Sequence, residues 1–238
     1  MRPLLRLVGL LALAALSLQL YFVARIALMN AVDPASTTFQ RSEARRIIGS
    51  TGQLAWAQSW TPLAQVSPHL PRAIIASEDA GFVEHAGIDW EAVQSAWQKN
   101  ERAEKRADQR ASKRPPKIVG GSTLTQQLAK NLFLSGERTL PRKAQEALLT
   151  LTLEALLSKR RLLELYVNHV EWGEGVFGAD AAARHYFRVP AQRLTAAQAA
   201  RLAVMLPAPK RFEKLPGSGY LASRSVTIQA RMAGVELP

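Results

Sequence analysis

The sequence predicts a mainly α-helical protein with one N-terminal transmembrane helix. The first stretch behind this prediction is 7–24, which carries no charge and has only Ser17 and Gln19 as clearly polar groups. Helix-type apolar periodicity dominates after residue 90, and strand signals are weak throughout. About 200 of the 238 residues remain for structure outside the membrane, which suits one domain with a sizeable core.

The N-terminal apolar run is predicted to be an uncleaved membrane anchor. At about 1.5 Å per residue, 7–24 can just cross a hydrocarbon core of about 30 Å. Arg2 and Arg6 precede the run, which favours a cytoplasmic N-terminus with the rest of the chain outside, although Arg25 weakens the charge bias. The alternatives are a cleaved signal peptide, for which Ala24 is followed by no convincing cleavage site, and a buried helix of a soluble domain.

Composition excludes some chemistry and restricts the partners. The chain has no cysteine, which rules out disulfides, zinc–cysteine sites and thiol nucleophiles. A net charge of +12 calls for an anionic partner: nucleic acid, an anionic membrane surface or a phosphorylated substrate. The strongly basic segment 99–117 is either simply solvated or lies on lipid headgroups. The anchor and the scarcity of aromatic residues in that segment argue against nucleic acid.

Two segments between the anchor and the basic segment have distinct patterns. Residues 30–66 are polar without a clear period over their first half, and we predict a stem there. Trp90, Val93 and Trp97 then fall on one face of a helix. Core packing is the favoured interpretation of this stripe, and insertion at a membrane interface is the alternative.

The segments after residue 120 are predicted to be helices with recognisable ends. Gly120 and Gly121 mark a turn, and Ser122 is the predicted N-cap of a helix. Ser122, Gln126 and Lys130 then form a single polar stripe on that helix. The residue pattern also predicts a later helix that is capped by Thr195 and stops at Pro207.

A second helix is predicted to start at Pro141, a good first-turn residue. Its sequence is apolar nearly all round, so we expect it to be buried. Glu146 lies within it, and a carboxylate there needs a partner or a purpose. An ion pair with Arg142, one turn earlier, is the simplest explanation.

The motifs favour carboxylate chemistry, and the spacing leaves a Ser-His-Asp triad as an open alternative. The four histidines have no metal-ligand spacing, and neither a G-x-S-x-G elbow nor a phosphate-binding glycine loop is present. Glu78 and Glu146 remain, both in apolar surroundings, with a basic and amide-rich helix between them. Such a set permits chemistry at a sugar, with one carboxylate as base and cations for an anionic leaving group.

Five stretches in order carry a family resemblance. They are "RAIIASEDAGFVEHAGIDW", "GGSTLTQQLAKNLFL", "RKAQEALLTLTLE", "KRRLLELYVNHVEWGEGVFGADAAARHYF" and "ARLAVMLPAPKRF". With their spacing they resemble the motif blocks of the peptidoglycan glycosyltransferases of family 51, over residues 70 to about 230. The single anchor, and the lack of length or an S-x-x-K sequence for a transpeptidase domain, resemble the monofunctional members.

The resemblance implies a lysozyme-like helical head with a smaller jaw lobe that touches the membrane. We expect residues 1–29 to be the cytoplasmic N-terminus and anchor, 30–66 the stem, and 67–238 the glycosyltransferase domain, with the jaw at about 90–118. The implied reaction polymerises lipid II into glycan strands. The acceptor's GlcNAc 4-hydroxyl attacks C1 of the growing chain's MurNAc, the configuration inverts and undecaprenyl diphosphate leaves. A strongly basic segment within the jaw departs from the family's hydrophobic jaw.

The resemblance also assigns roles to residues. The motif E-D-x-x-F-x-x-H-x-G places the general base at Glu78, and R-K-x-x-E places a second carboxylate, which orients or stabilises the donor, at Glu146. The residues that match the donor's phosphate and sugar site are Ser122, Gln126, Gln127, Lys130, Arg138 and Arg142.

Another set is expected mainly to shape the site: Asp79, Phe82, His85, Gly87 and Asn131. Whether Asp79 shares a proton with the base or only holds its loop stays open at this point. His85 has no case as a metal ligand, and no metal site is predicted.

The residues require no cofactor, and a divalent cation bridging the substrate diphosphate is left open. The expected partners are lipid II, the growing glycan chain, the lipid bilayer and cell-wall synthesis or division proteins, without nucleic acid. The expected location is the bacterial inner membrane, crossed once, with the catalytic domain in the periplasm. The alternatives are a lysozyme-like lytic enzyme that cleaves glycan and a non-catalytic basic membrane scaffold.

Overall fold

The protein is built almost entirely from α-helices. The computed structural model describes the backbone of residues 2–109, 120–134 and 139–238. Within these ranges the helices are α1 (Arg2–Leu28), α2 (Thr38–Thr51), α3 (His69–Glu78), α4 (Trp90–Gln109), α5 (Leu124–Phe133), α6 (Leu140–Leu156), α7 (Lys159–His169), α8 (Ala179–Phe187), α9 (Ala196–Met205), α10 (Pro209–Glu213) and α11 (Gly219–Arg231). The predicted mainly α fold with one N-terminal apolar helix is confirmed.

Short elements complete the architecture. The strands β1 (Ala57–Gln58), β2 (Glu171–Gly173) and β3 (Val176–Phe177) form one sheet in the order β1–β3–β2, with β1 parallel and β2 antiparallel to β3. The register pairs Ala57 with Val176 and Gln58 with Phe177. Short 3-10 turns lie at Leu63–Gln65, Ala191–Arg193 and Met232–Gly234. Strands this short agree with the weak strand signal of the sequence.

The core contains two groups of packed helices. The apolar run of α3 is buried, including Leu70, Ile74 and Ile75, and it packs against α9 and α11. Helix α5 packs against α2, α6 and α7, with Leu124, Leu128 and other apolar side chains buried. Burial of this apolar surface is the main stabilising contribution, and it fixes where Glu78 emerges at the last position of α3.

Helix α1 is long and apolar enough to cross a membrane over Pro3–Leu28. Most of its side chains are exposed, as expected for a surface that meets lipid. Its C-terminal end is docked, because Ile26 and Met29 are buried in the core. The Nε of Arg161 donates to the backbone oxygen of Met29 over 2.7 Å, which ties the end of the helix to α7.

Residues 30–66, the predicted stem, contain regular structure. Thr37 and Gln40 form a capping box at the start of α2, and both side chains are buried. The Thr38 hydroxyl donates to the backbone oxygen of Leu132 over 3.0 Å, so α2 is attached to the end of α5. The segment therefore packs on the helical domain over part of its length, and the boundary at residue 66 stays a prediction.

Two predictions about burial are wrong. The stripe of Trp90, Val93 and Trp97 does not pack in the core, since the two indoles are 71% and 73% exposed. Helix α6 is not buried all round either, because Leu148 and Leu151 are about half exposed. A shared helix face in a sequence shows which residues lie together, but not what covers them.

Two helices start one position away from the predicted residue. The N-cap of α5 is Thr123 rather than Ser122, and its hydroxyl accepts the backbone N–H of Gln126 in a capping box. Helix α6 begins at Leu140, with Pro141 at its second position. The predicted cap of α9 at Thr195 is confirmed, and that helix ends at Met205, before Pro207.

Candidate active site

Glu78 lies where the buried helix α3 ends and the chain turns outward. The buried run from Ala73 to Ala76 fixes the helix, and the next turn leaves the carboxylate of Glu78 half-buried. Its Oε1 accepts from the Ser77 hydroxyl over 3.2 Å, and its Oε2 accepts from the amide nitrogen of Gln127 over 3.3 Å. The carboxylate is therefore held by two neutral donors.

Burial raises the pKa of Glu78 above its ordinary value. The hydrogen bonds from Gln127 and Ser77 act in the opposite direction, as does the positive charge of Arg224 on α11, while the charge of Asp79 adds to the rise. Burial disfavours the charged form of a carboxyl group, and this is the largest of these effects. A carboxylate with a raised pKa is a stronger base than an ordinary one.

Tyr166, fully buried on α7, fixes the orientation of Gln127. Its hydroxyl donates to Gln127 Oε1 over 2.9 Å, so the amide nitrogen of Gln127 faces Glu78. Burial, together with the nearby charges of Glu78 and Asp79, raises the pKa of Tyr166 well above its ordinary value. The hydroxyl therefore keeps its proton at neutral pH and acts as a donor.

Asp79 connects the loop after α3 to the start of α5. Its Oδ2 accepts the backbone N–H of Leu124 over 2.9 Å, and its Oδ1 lies 2.9 Å from Nε2 of His85. Nδ1 of that ring accepts the backbone N–H of Gly87 over 3.1 Å, so Nε2 carries the proton and donates to Asp79. Both oxygens of Asp79 are thus engaged in holding the loop.

Position 87 requires glycine for two reasons, the conformation of the backbone and the lack of room for a side chain. Its φ of +88° is in the left-handed region, and an added Cβ would lie 2.7 Å from Glu154 Cγ and 2.8 Å from Thr150 Cγ2. Glu154 accepts from the Thr125 hydroxyl over 2.5 Å and from Lys159 over 2.9 Å. The loop thus rests on a polar network that links α5, α6 and α7.

Lys159 and Phe82 also hold this loop in place. The ammonium of Lys159 donates to the backbone oxygen of His85 over 2.6 Å and lies 4.6 Å from the centre of the Phe82 ring. Phe82 is almost fully buried. The predicted site-shaping residues of this loop are therefore held together in the segment that follows Glu78.

Glu146 lies on α6 at a second, more basic position. It is 3% exposed, and its Oε2 accepts from Arg142 over 2.8 Å, while Lys143 contacts Oε1. The ion pair with Arg142 was predicted from the spacing, and Lys143 adds a second cation. The charges and hydrogen bonds of the two cations offset part of the cost of burying this carboxylate.

A groove of about 220 Å³ runs between α4 and the helices α5 and α6. Ser122, Gln126 and Lys143 line it on one side, and Val93 and Trp97 line it on the other. Two of the residues predicted for phosphate and sugar binding thus share a groove with a cation. The amide oxygen of Gln126 already accepts the backbone N–H of Thr123 over 3.0 Å, as part of the helix cap.

The remaining predicted residues are divided between the two positions. Gln127, predicted beside the donor phosphate, contacts Glu78 instead. Lys130 is exposed one turn further along α5, and Asn131 is buried. Arg138 lies outside the described residues. Helix α5 therefore separates a carboxylate side at Glu78 from a cationic side at Glu146.

Several residues of this arrangement were not among the predicted site residues. Lys143 could have been found, because it follows Arg142 directly in the R-K-x-x-E motif. Tyr166, Glu154 and Lys159 act through contacts between distant segments, for which the local sequence carries no signal. Arg224 falls on α11, beyond the last motif block considered.

A helical domain that combines a carboxylate of raised pKa at Glu78 with a separate groove lined by Lys143 fits the class of glycosyl-transferring enzymes. The chain belongs to the transglycosylase family, whose sequence profile matches residues 45–233. A protein of Paraburkholderia xenovorans named biosynthetic peptidoglycan transglycosylase is 50% identical over 228 residues, covering 95% of this chain and 90% of that relative. A Burkholderia thailandensis protein of the same name is 48% identical over 230 residues, covering 97% and 86%.

Proposed function

We propose that this transglycosylase polymerises lipid II into peptidoglycan glycan strands and releases undecaprenyl diphosphate. The observation that carries the proposal is the carboxylate of Glu78, which is half-buried, raised in pKa and held by Gln127 and Ser77 at the end of the buried helix α3. The similarity to relatives named biosynthetic peptidoglycan transglycosylases supports the choice of substrate.

In the proposed mechanism Glu78 is the general base. The GlcNAc 4-hydroxyl of the acceptor transfers its proton to the carboxylate as its oxygen bonds to C1 of the donor's MurNAc. The bond from C1 to the diphosphate oxygen breaks on the opposite face, so the configuration inverts. Positioned proton transfer of this kind contributes about 10²- to 10⁴-fold to a rate.

The cationic side is proposed to hold the donor diphosphate. Lys143 lines the groove, Arg142 contacts the same Glu146, and the exposed Lys130 follows Gln126 by one turn of α5. Fixed cations stabilise the negative charge that develops on a leaving diphosphate, so a strong general acid is not needed. We propose that Glu146 keeps the two cations of α6 in place. No cofactor is required in this scheme, and a divalent cation on the diphosphate would add to the same stabilisation.

The proposed location is the inner membrane, with the N-terminus in the cytoplasm and the catalytic domain in the periplasm. The exposed indoles of Trp90 and Trp97, and the exposed leucines of α6, are the surfaces that we expect to meet the bilayer. A lipid-linked substrate would then reach the groove from the membrane plane. Cell-wall synthesis or division proteins stay as expected partners.

The test supplies purified full-length protein in vesicles with labelled lipid II and separates the products by size. Long glycan from the wild type and none from Glu78→Gln, with lipid II still bound, is the expected result. Lys130→Ala should lower the rate severely with the fold retained, whereas a near-wild-type rate removes Lys130 from the diphosphate site. Cleavage of preformed glycan without polymer would indicate a lytic enzyme. Binding without any product from a folded protein would indicate a scaffold.

A further inference from the structure

The anchor helix α1 carries a polar residue that the proposed chemistry does not use. Gln19 lies within the apolar run, five residues before its end at Ala24, which is about 7.5 Å along a helix. Its amide group is half-buried in the protein. Polar side chains are costly in hydrocarbon, and those present usually have a partner and a function.

The partner of Gln19 is Gln145 on α6. Nε2 of Gln19 donates to Oε1 of Gln145 over 2.8 Å, and Nε2 of Gln145 donates back to Oε1 of Gln19 over 3.2 Å. The two amides thus satisfy each other with a donor and an acceptor on both sides. Gln145 directly precedes Glu146, so the pair joins the anchor to the helix of the cationic side.

The pair belongs to a longer helix interface. The half-buried or buried residues of this stretch are Gln19, Phe22, Arg25, Ile26 and Met29, and they lie on one helix face. The ring of Phe22 lies 5.3 Å from that of Phe133 in an edge contact, which adds α5 to the interface.

A second hydrogen bond sets the direction of the two helices. Nδ2 of Asn30 donates to the backbone oxygen of Leu156 over 3.0 Å. Gln19–Gln145 and Asn30–Leu156 are both separated by 126 positions in the sequence. The anchor, with the turn that follows it, therefore runs parallel to α6 in one register from Gln19 to Asn30, about 16 Å along a helix.

We propose that the Gln19–Gln145 amide pair is a positioning device that fixes the height and rotation of α6 relative to the bilayer. An apolar helix face specifies register less sharply than a polar pair does, because two amides satisfy each other in only one register. If α6 slips by a single residue along the anchor, its height changes by about 1.5 Å and its rotation by about 100°. Arg142, Lys143 and Glu146 would move with the helix.

The consequence concerns the lipid-linked substrate, and so the inference rests on the proposed function. The diphosphate of such a substrate lies at the headgroup level, because its hydrocarbon tail is in the bilayer. The register sets Lys143 opposite Ser17, within the apolar run, so its long side chain has to extend toward the headgroups. The height of α6 then decides whether the cations reach the diphosphate. Gln19 and Gln145 are positioning residues in this scheme, since neither is placed in contact with the reacting atoms.

The test uses full-length protein in vesicles and compares Gln19→Leu with Ser17→Leu. Both variants replace a polar residue of the anchor by leucine, but Ser17 is exposed and has no described partner on α6. Gln19→Leu should lower kcat/KM for lipid II by about 3- to 30-fold, mainly through KM, the range that a hydrogen bond between membrane helices supports. Ser17→Leu should leave it unchanged.

Register is measured directly with spin labels. The chain has no cysteine, so Leu16→Cys and Leu148→Cys, both at exposed positions, provide two unique labels. The distance distribution between them should be narrow with Gln19 present, broad with Gln19→Leu, and narrow with Ser17→Leu. The double variant Gln19→Leu/Gln145→Leu should lose less activity than the sum of its two single variants, because no amide is left unpaired.

Equal distance distributions and equal kinetics for Gln19→Leu and Ser17→Leu would overturn the proposal. Broadening without any change in kcat/KM would also overturn it, because register would then not matter for the reaction. If the wild type makes no glycan, the proposed function fails instead, and the spin-label distances alone decide whether the amide pair fixes the register.

Discussion

Gln127 donates its side-chain N–H to Glu78 over 3.3 Å, and the hydroxyl of Tyr166 holds the other end of the same amide. A freely rotating amide could present its oxygen to the carboxylate, which would repel the charged form. With Tyr166 as donor to Oε1, the nitrogen is directed to Glu78. The pKa of Glu78 is therefore set by opposing effects, because burial raises it and the hydrogen bond from Gln127 limits the rise.

Replacing Glu78 by glutamine should abolish activity and stabilise the fold at neutral pH. A carboxyl group whose pKa is raised in the folded state stabilises the protein below its unfolded pKa, and this contribution is lost as the pH rises through the folded pKa. The charged form is thus unfavourable at pH 7.5, and Glu78→Gln removes it. We expect a gain of about 0.5–2 kcal/mol, the usual range of stabilising single substitutions.

Chemical denaturation in detergent at pH 7.5 and at pH 4 measures this effect. The gain should shrink at pH 4, where the carboxyl group is protonated and resembles the amide. A loss of stability at pH 7.5 would show that the charged carboxylate is favourable in the fold, contrary to the dominant role of burial.

Tyr166→Phe should shift the acidic limb of the rate–pH profile to higher pH. Without the hydroxyl, the amide of Gln127 is free to turn, Glu78 loses a donor, and its pKa rises further. The net value of a hydrogen bond is about 0.5–1.5 kcal/mol, which limits the shift to about one pH unit. The measurement is the rate of glycan synthesis between pH 4 and pH 8.

Tyr186→Phe provides the matched control. The hydroxyl of Tyr186 also donates within the fold, to the backbone oxygen of Trp172 over 2.7 Å, but it has no described contact with Glu78. It should leave the midpoint of the acidic limb in place. An unchanged midpoint in Tyr166→Phe, with a lower rate at every pH, would indicate that Tyr166 only stabilises the fold.

Local patterns predicted the parts of the molecule that depend on neighbouring residues. The anchor follows from a run without charges, and the position of Glu78 follows from an apolar run that ends at two acids. The cap at Thr195 and the pair of Glu146 with Arg142 are contacts within one helix. Each of these features is encoded within a few turns of chain.

The remainder depends on what packs against each face. The stripe of Trp90 and Trp97 was predicted to be core because periodicity alone does not distinguish a protein neighbour from lipid or solvent. The contacts of Tyr166 with Gln127 join residues 39 positions apart, and those of Gln19 with Gln145 join residues 126 positions apart. Such relations follow from the fold and have no local sequence signal.

Gly87→Ala should destabilise the protein more than Gly52→Ala. Both glycines have a left-handed φ, of +88° and +72°, so either alanine is strained by about 1–2 kcal/mol. Only at position 87 does the new Cβ meet other atoms, those of Glu154 and Thr150, whereas nothing lies within 4 Å at position 52. The clash adds about 1–3 kcal/mol.

Urea denaturation of both variants separates the two contributions. Because the loop at Gly87 also holds His85 and Asp79, its alanine variant should lose activity, while Gly52→Ala should keep it. Equal losses of stability in the two variants would mean that the side chains of Glu154 and Thr150 move aside without a cost in free energy.

Trp90→Ala should change the free energy of unfolding in detergent by no more than about 0.5 kcal/mol, as for other surface substitutions, because the indole is 71% exposed. Trp172→Ala is the matched control, since that indole is fully buried and should cost about 3–5 kcal/mol. Glycan synthesis by Trp90→Ala should fall in vesicles but not in detergent, because an interfacial indole acts only where a bilayer is present. A large loss of stability in detergent would instead place Trp90 in the core and contradict its exposure, and equal rates in vesicles would remove it from the membrane contact.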